Sequence, residues 1–156
     1  MELAEIGKNI LTNCMNVKPG ENVLIVTDDE KYAIGQALYQ AAKLLKAEAM
    51  LMTMTAREVS GQEPPAVVAA AMKAADVVIC PMKTSITHTR AKIEAAEAGA
   101  RIATMPGITE EMFAMGAMTA DYSRVMALTE QVTDLLTNAN TARIEKDGHV
   151  LTLDLR

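Results

Sequence analysis

The chain has 156 residues, half of them hydrophobic and 22% charged, with a net charge of −5. That is an ordinary globular balance, long enough for one domain with a real core. The acidic balance, the lack of Trp and the single Phe113 beside Tyr32, Tyr39 and Tyr122 speak against nucleic acid, and no apolar run is long enough to span a bilayer.

The start, Met1, Glu2, Leu3, Ala4 and Glu5, is mixed and acidic and does not read as a signal peptide. Leu3, Ile6, Ile10 and Cys14 recur at helical spacing and predict an opening amphipathic helix. "VKPGEN" turns at Pro19-Gly20, and the apolar run "VLIVT" from Val23 to Thr27 predicts a buried strand. Asp28, Asp29 and Glu30 then open a helix whose face is Ile34, Ala37, Leu38, Ala41 and Leu45. Ala49 to Met54 is a second strand, and Ser60, Gly61, Pro64 and Pro65 form a loop ahead of the helical face Val68, Ala71, Met72 and Ala75. "DVVIC", Asp76 to Cys80, is a third strand ended by Pro81. His88 to Ala98 is an Ala-rich helix closed by Gly99, and "RIATM", Arg101 to Met105, is a fourth strand ended by Pro106-Gly107. A short helix spans Thr109 to Gly116, and Val125, Leu128, Val132, Leu135 and Leu136 mark one more amphipathic helix.

Strands alternating with helices predict an α/β fold: a doubly wound, Rossmann- or flavodoxin-like parallel sheet with flanking helices over residues 1–138. Periodicity leaves the strand order open. Residues 139–156 break the pattern. Thr141 to Glu145 and Val150 to Leu155 flank Asp147-Gly148, a β-hairpin turn signal. A two-stranded ribbon needs something to dock on.

Cys14 and Cys80 lie far apart with no CxxC, which fits a cytoplasmic chain with both thiols reduced. The twelve methionines sit mostly within apolar segments, as core filler does, rather than forming a Met-rich groove. No GxGxxG or Walker pattern is present, and the first βα turn, "TDDE", would repel a phosphate. Its three acids read as capping and first-turn charge. The loop after the third strand carries Lys83, Ser85, Thr87, His88 and Arg90 and lacks acids. It lies where open α/β sheets bind ligands, so these five are the candidate site for a carboxylate or other small anion. The competing reading is helix capping by Ser85 or Thr87 with Lys83 and Arg90 solvated. Arg90 and Glu94 form an i, i+4 pair on a charged helix face. No metal site is expected within the chain, because His88 and His149 lack partners at ligand spacing. No catalytic residue is assigned, since neither cysteine has a nucleophile signature.

"VKPGENVLIVTD", "TSITHTRAKIEAAEAGARIATMPGITEEMF" and "DYSRVMALTEQVTDLLTNANTARI" together resemble the N-terminal domain of the aminopeptidase T-like family of metal-dependent leucyl aminopeptidases. The resemblance covers nearly the whole chain. It implies a non-catalytic domain that shapes a peptide-substrate cleft, with zinc or cobalt held by a C-terminal domain whose ligands have no match here. The hairpin would then be the first strands of that domain, and this chain alone would bind no metal and hydrolyse nothing. The same superfamily includes an iron-dependent dioxygenase that opens a dihydroxypyridine ring, so the resemblance also admits the N-terminal part of such an enzyme. A stand-alone small-anion-binding or assembly domain is a further reading. The apolar Leu151–Leu155 edge leads us to expect a homodimer.

Overall fold

The computed structural model describes residues 3–156; Met1 and Glu2 of the acidic start lie outside the described residues. The chain folds as α1 (Leu3–Asn13), β1 (Asn22–Asp28), α2 (Tyr32–Leu44), β2 (Glu48–Met54), α3 (Ala66–Ala74), β3 (Val77–Met82), α4 (Arg90–Glu97), β4 (Arg101–Pro106) and α5 (Glu110–Ala114). A 3-10 turn (Gly116–Thr119), α6 (Tyr122–Thr137), β5 (Thr141–Lys146) and β6 (His149–Asp154) follow. The contacts divide it into two compact units, one running to Thr119 and one from Ala120 to Arg156.

The first unit is the expected α/β fold. Its four strands are parallel in the order β2-β1-β3-β4. This is the flavodoxin-like arrangement, with its topological switch point between β1 and β3. The run "VLIVT" is continuous rather than alternating because β1 is central and covered on both faces. Ile6, Ile10 and Leu11 of α1, Ile34 and Leu38 of α2, and Phe113 of α5 cover Val23, Ile25, Val77 and Ile79 on one face. Val68 and Met72 of α3 and Ala91 and Ala95 of α4 cover Leu24, Val26, Val78, Cys80 and Met82 on the other. Burying Phe113 alone stabilises the unit by about 3 kcal/mol. Gly35 lets α2 lie directly on β1: a Cβ there would come within 2.9 Å of Thr27 Cβ.

Two of the boundaries that differ from the sequence reading have a clear local cause. β3 runs through Pro81 to Met82, because its ladder with β1 has already ended at Ile79 and the missing proline N–H breaks no bond there. The Thr27 hydroxyl instead donates to the Pro81 carbonyl at 2.9 Å. The helix expected from His88 begins at Arg90, because Thr89 is its N-cap and accepts from the Lys92 N–H.

In the second unit, Asp121 caps α6 by accepting from the Ser123 and Arg124 N–H groups. The hairpin closes through Asp147 (φ 52°) and Gly148 (φ 78°), the two positive-φ residues that a type I′ turn requires. Among the described residues no helix is long and apolar enough to cross a membrane.

Candidate functional site

The loops that leave the carboxyl ends of the strands gather at the switch point. The crevice between β1 and β3 is closed by Asp28. Its side chain is fully buried and accepts from the Glu30 N–H at 3.1 Å, the Lys31 N–H at 3.0 Å and the Lys83 N–H at 2.6 Å. α2 starts only at Tyr32, so the three acids do not sit on its first turn as expected. Asp29 accepts from the Ala56 N–H at 2.9 Å, and Glu30 accepts from Lys83 Nζ at 2.7 Å. Each carboxylate therefore ties one loop to another. The hydrogen bond to Glu30, reinforced by the charge of Glu30, holds the Lys83 pKa above its ordinary value.

The other candidate residues fall into two groups. Ser85 Oγ donates to Thr87 Oγ1 at 2.8 Å, and Thr87 Oγ1 lies 2.9 Å from Thr104 Oγ1, so the hydroxyls form a chain across to β4. His88 and Arg90 face solvent; the Arg90 guanidinium reaches Glu94 at 3.4 Å. Lys83 thus turns to Glu30, Ser85 and Thr87 turn to Thr104, and His88 and Arg90 stay exposed.

One residue that the sequence did not reveal shapes this loop most. Glu63, from the loop before α3, sets its carboxylate on the N-terminus of α4. Oε1 accepts from the Arg90 N–H at 2.6 Å and Oε2 from the Ala91 N–H at 3.2 Å. An anion attracted to the α4 dipole would meet this carboxylate first. The same loop is pinned by the Ser85 N–H donating to Ser60 Oγ at 3.2 Å and the Gly61 N–H donating to the Ser85 carbonyl at 2.8 Å. Nothing local marks Glu63, because its partners lie 27 and 28 residues ahead. Thr84 Oγ1 and Arg57 Nε are buried with no hydrogen-bond partner among the described residues.

A cavity of about 220 Å³ opens beside the closed crevice, lined by Glu30, Lys31, Ile34, Ile108, Thr109 and Glu110. A larger hollow, about 750 Å³, lies instead toward the amino ends of the strands, around the free edge of β2. Among the described residues no three His, Cys, Asp or Glu side chains converge as a metal site. A non-haem iron centre typically takes two histidines and a carboxylate. The chain has two histidines, His88 and His149, and neither belongs to such a cluster among the described residues. These residues do not fit an iron site by themselves.

The architecture defines a doubly wound α/β unit with a tied-down switch-point loop, followed by a helix and hairpin. The family model for NicX, 2,5-dihydroxypyridine 5,6-dioxygenase, matches residues 2–155, and the chain belongs to that family. The solved structure of the 2,5-dihydroxypyridine dioxygenase from Pseudomonas putida is similar in fold, with a TM-score of 0.67 at 18% identity. The likeness covers 97% of this chain and 46% of that one, so the chain spans about half the length of its structural neighbour. A comparison with curated protein sequences gives no match.

These findings correct the aminopeptidase resemblance. The family is a dioxygenase family, so the aminopeptidase, hydrolase and metalloprotease assignments fall, and so does the zinc or cobalt expected with them. The physical reason is plain. The segments that carried the resemblance are sheet, loop and helix, and a shared fold does not separate a hydrolase from an oxygenase.

Proposed function

We propose that this chain serves as the N-terminal α/β part of an iron-dependent dioxygenase that opens a dihydroxypyridine ring. The observation that supports this reading is the family match running over residues 2–155. Iron supplies the oxygen chemistry when bound, and in this proposal its ligands come from outside these 156 residues. The chain's own contribution is a rigid wall for the substrate cleft. Asp28 and Glu63 fix the Lys83–Arg90 loop at its two ends, so that the loop holds one geometry instead of being ordered anew with each substrate. The proposal includes a cytoplasmic setting, in which Cys14 and Cys80 stay reduced. The test is an assay of the natively expressed protein, its intact mass recorded, with ferrous iron, oxygen and 2,5-dihydroxypyridine. Loss of the substrate chromophore without hydrolysis of a leucyl amide is the expected result. Leucyl amide hydrolysis without ring opening would overturn the proposal.

A further inference from the structure

Met15, Met54, Met72 and Met82 are buried, as core filler should be. Three other methionines are placed differently. Met112, Met115 and Met118 follow one another at a spacing of three in "MFAMGAM". They line one hollow of about 330 Å³ together with Glu111, Gly116 and Ala117. Met112 and Met115 are each 57% exposed, and Met118 packs only partly against the core.

Local structure gathers these side chains. Phe113 is fully buried and fixes which face of α5 turns inward; Met112 and Met115, three residues apart, share the outer face. The Met115 N–H donates to the Glu111 carbonyl at 3.0 Å as the helix ends. Gly116, at φ 67°, then reverses the chain into the 3-10 turn, a conformation that a residue with a Cβ adopts only under strain. The Thr119 hydroxyl closes that turn by donating to the Gly116 carbonyl at 3.0 Å. The turn packs back on α5, which sets Met118 at the hollow that Met112 and Met115 border. The whole segment lies within the first unit, so the hollow is formed without α6 or the hairpin.

We propose that Met112, Met115 and Met118 form a thioether site for a soft monovalent cation of the Cu(I) class. Thioether sulfur selects Cu(I), whereas ferrous iron takes imidazole and carboxylate, so this site is separate from the iron chemistry of the proposed function and does not rest on it. Three neutral sulfurs leave the charge of a bound cation uncompensated, and the surroundings supply the balance. From Gly107 to Asp121 the sequence carries Glu110, Glu111 and Asp121 and no Lys, Arg or His, a local field that favours a cation. A thioether has no proton to lose before it binds. Affinity at this site is therefore independent of pH near neutrality, unlike that of a thiolate or imidazole site.

The test is a titration of the 156-residue chain with Ag(I), a redox-inert stand-in for Cu(I), in chloride-free buffer, followed by the carbon-13 methyl resonances of the methionines. Every protein carries C14S, because the exposed Cys14 thiol would compete for the ion, while Cys80 is buried. The expected result is one ion per chain, with the Met112, Met115 and Met118 methyls shifting together and the remaining methionines unmoved. The affinity should stay flat from about pH 5.5 to 7.5, and Cu(I) under anaerobic conditions should move the same three resonances. M112L, M115L and M118L keep the volume and apolar character of the hollow and remove only sulfur. Each is expected to weaken binding by about tenfold or more, at least the loss that follows removal of an outer-shell contact. Resonances that do not move, or shifts spread over all the methionines, overturn the proposal. So does binding that the leucine variants leave unchanged, since apolar contact rather than sulfur would then account for it.

Discussion

Asp28 is the residue whose removal most directly tests how the switch-point crevice is held. Its carboxylate is fully buried and satisfies three backbone N–H groups on two loops, including Lys83 55 residues away. D28A leaves the Glu30 and Lys83 N–H groups without that acceptor, while the Lys31 N–H keeps the Asp28 backbone carbonyl at 3.1 Å; each part-buried orphan costs about 1–3 kcal/mol. The Glu30 group sits in a partly solvated turn, which places it near the lower end of that range. The short Lys83 bond joins two strands' exit loops and places it higher. The expected loss is ~3 kcal/mol, a large share of the 5–15 kcal/mol that holds a domain together. At this size it lowers Tm by roughly 10 °C. D28N keeps an acceptor for the α2 turn but turns an amide N–H toward the Lys83 N–H, so it loses about half as much. Urea unfolding followed by far-UV circular dichroism gives both values. D28A within ~0.5 kcal/mol of wild type would refute the claim that this carboxylate seals the crevice.

Other substitutions probe other contacts. G35A drives a Cβ into Thr27 and is expected to cost ~1–3 kcal/mol in the same unfolding assay; a neutral result would mean that α2 can slide on β1. E63A strips the α4 N-terminus of its carboxylate and is expected to cost ~1 kcal/mol, with less effect in high salt. The hydrogen bond from Arg101 holds the Glu21 pKa below its ordinary value, so the pair's stabilisation is present above the ordinary carboxylate range and lost as pH falls through the lowered pKa. The wild-type advantage over E21Q, under ~1 kcal/mol at neutral pH, should therefore disappear in acid, and an advantage that persists there would contradict the assignment. Burial pushes the Cys80 thiol pKa up to about 12, so in the native protein a thiol reagent should modify exposed Cys14 and reach Cys80 only on unfolding.

Much of the fold was legible because central parallel strands must be apolar on both faces. "VLIVT" and "DVVIC" announce themselves whatever surrounds them. Strand order was not legible, since periodicity says which face is buried and not which strand is the neighbour. The loop after β3 was found from its composition, but its wiring was not. Thr89 rather than Thr87 caps α4, and Thr87 spends its hydroxyl on Thr104, a partner 17 residues away. Asp28 was read as a local cap, which accounts for its bonds to Glu30 and Lys31; its bond to Lys83 depends on β1 and β3 lying side by side. The choice between peptidase and dioxygenase was beyond the sequence reading for a chemical reason, because the residues that distinguish the two are metal ligands and no such set converges among the described residues.

The central claim is that this chain supplies a scaffold and not the metal. The direct measurement is the iron content of the purified 156-residue chain after anaerobic incubation with ferrous iron and desalting. The account predicts far less than one iron per chain, because no ligand set converges among the described residues. One tightly held iron per chain would contradict it.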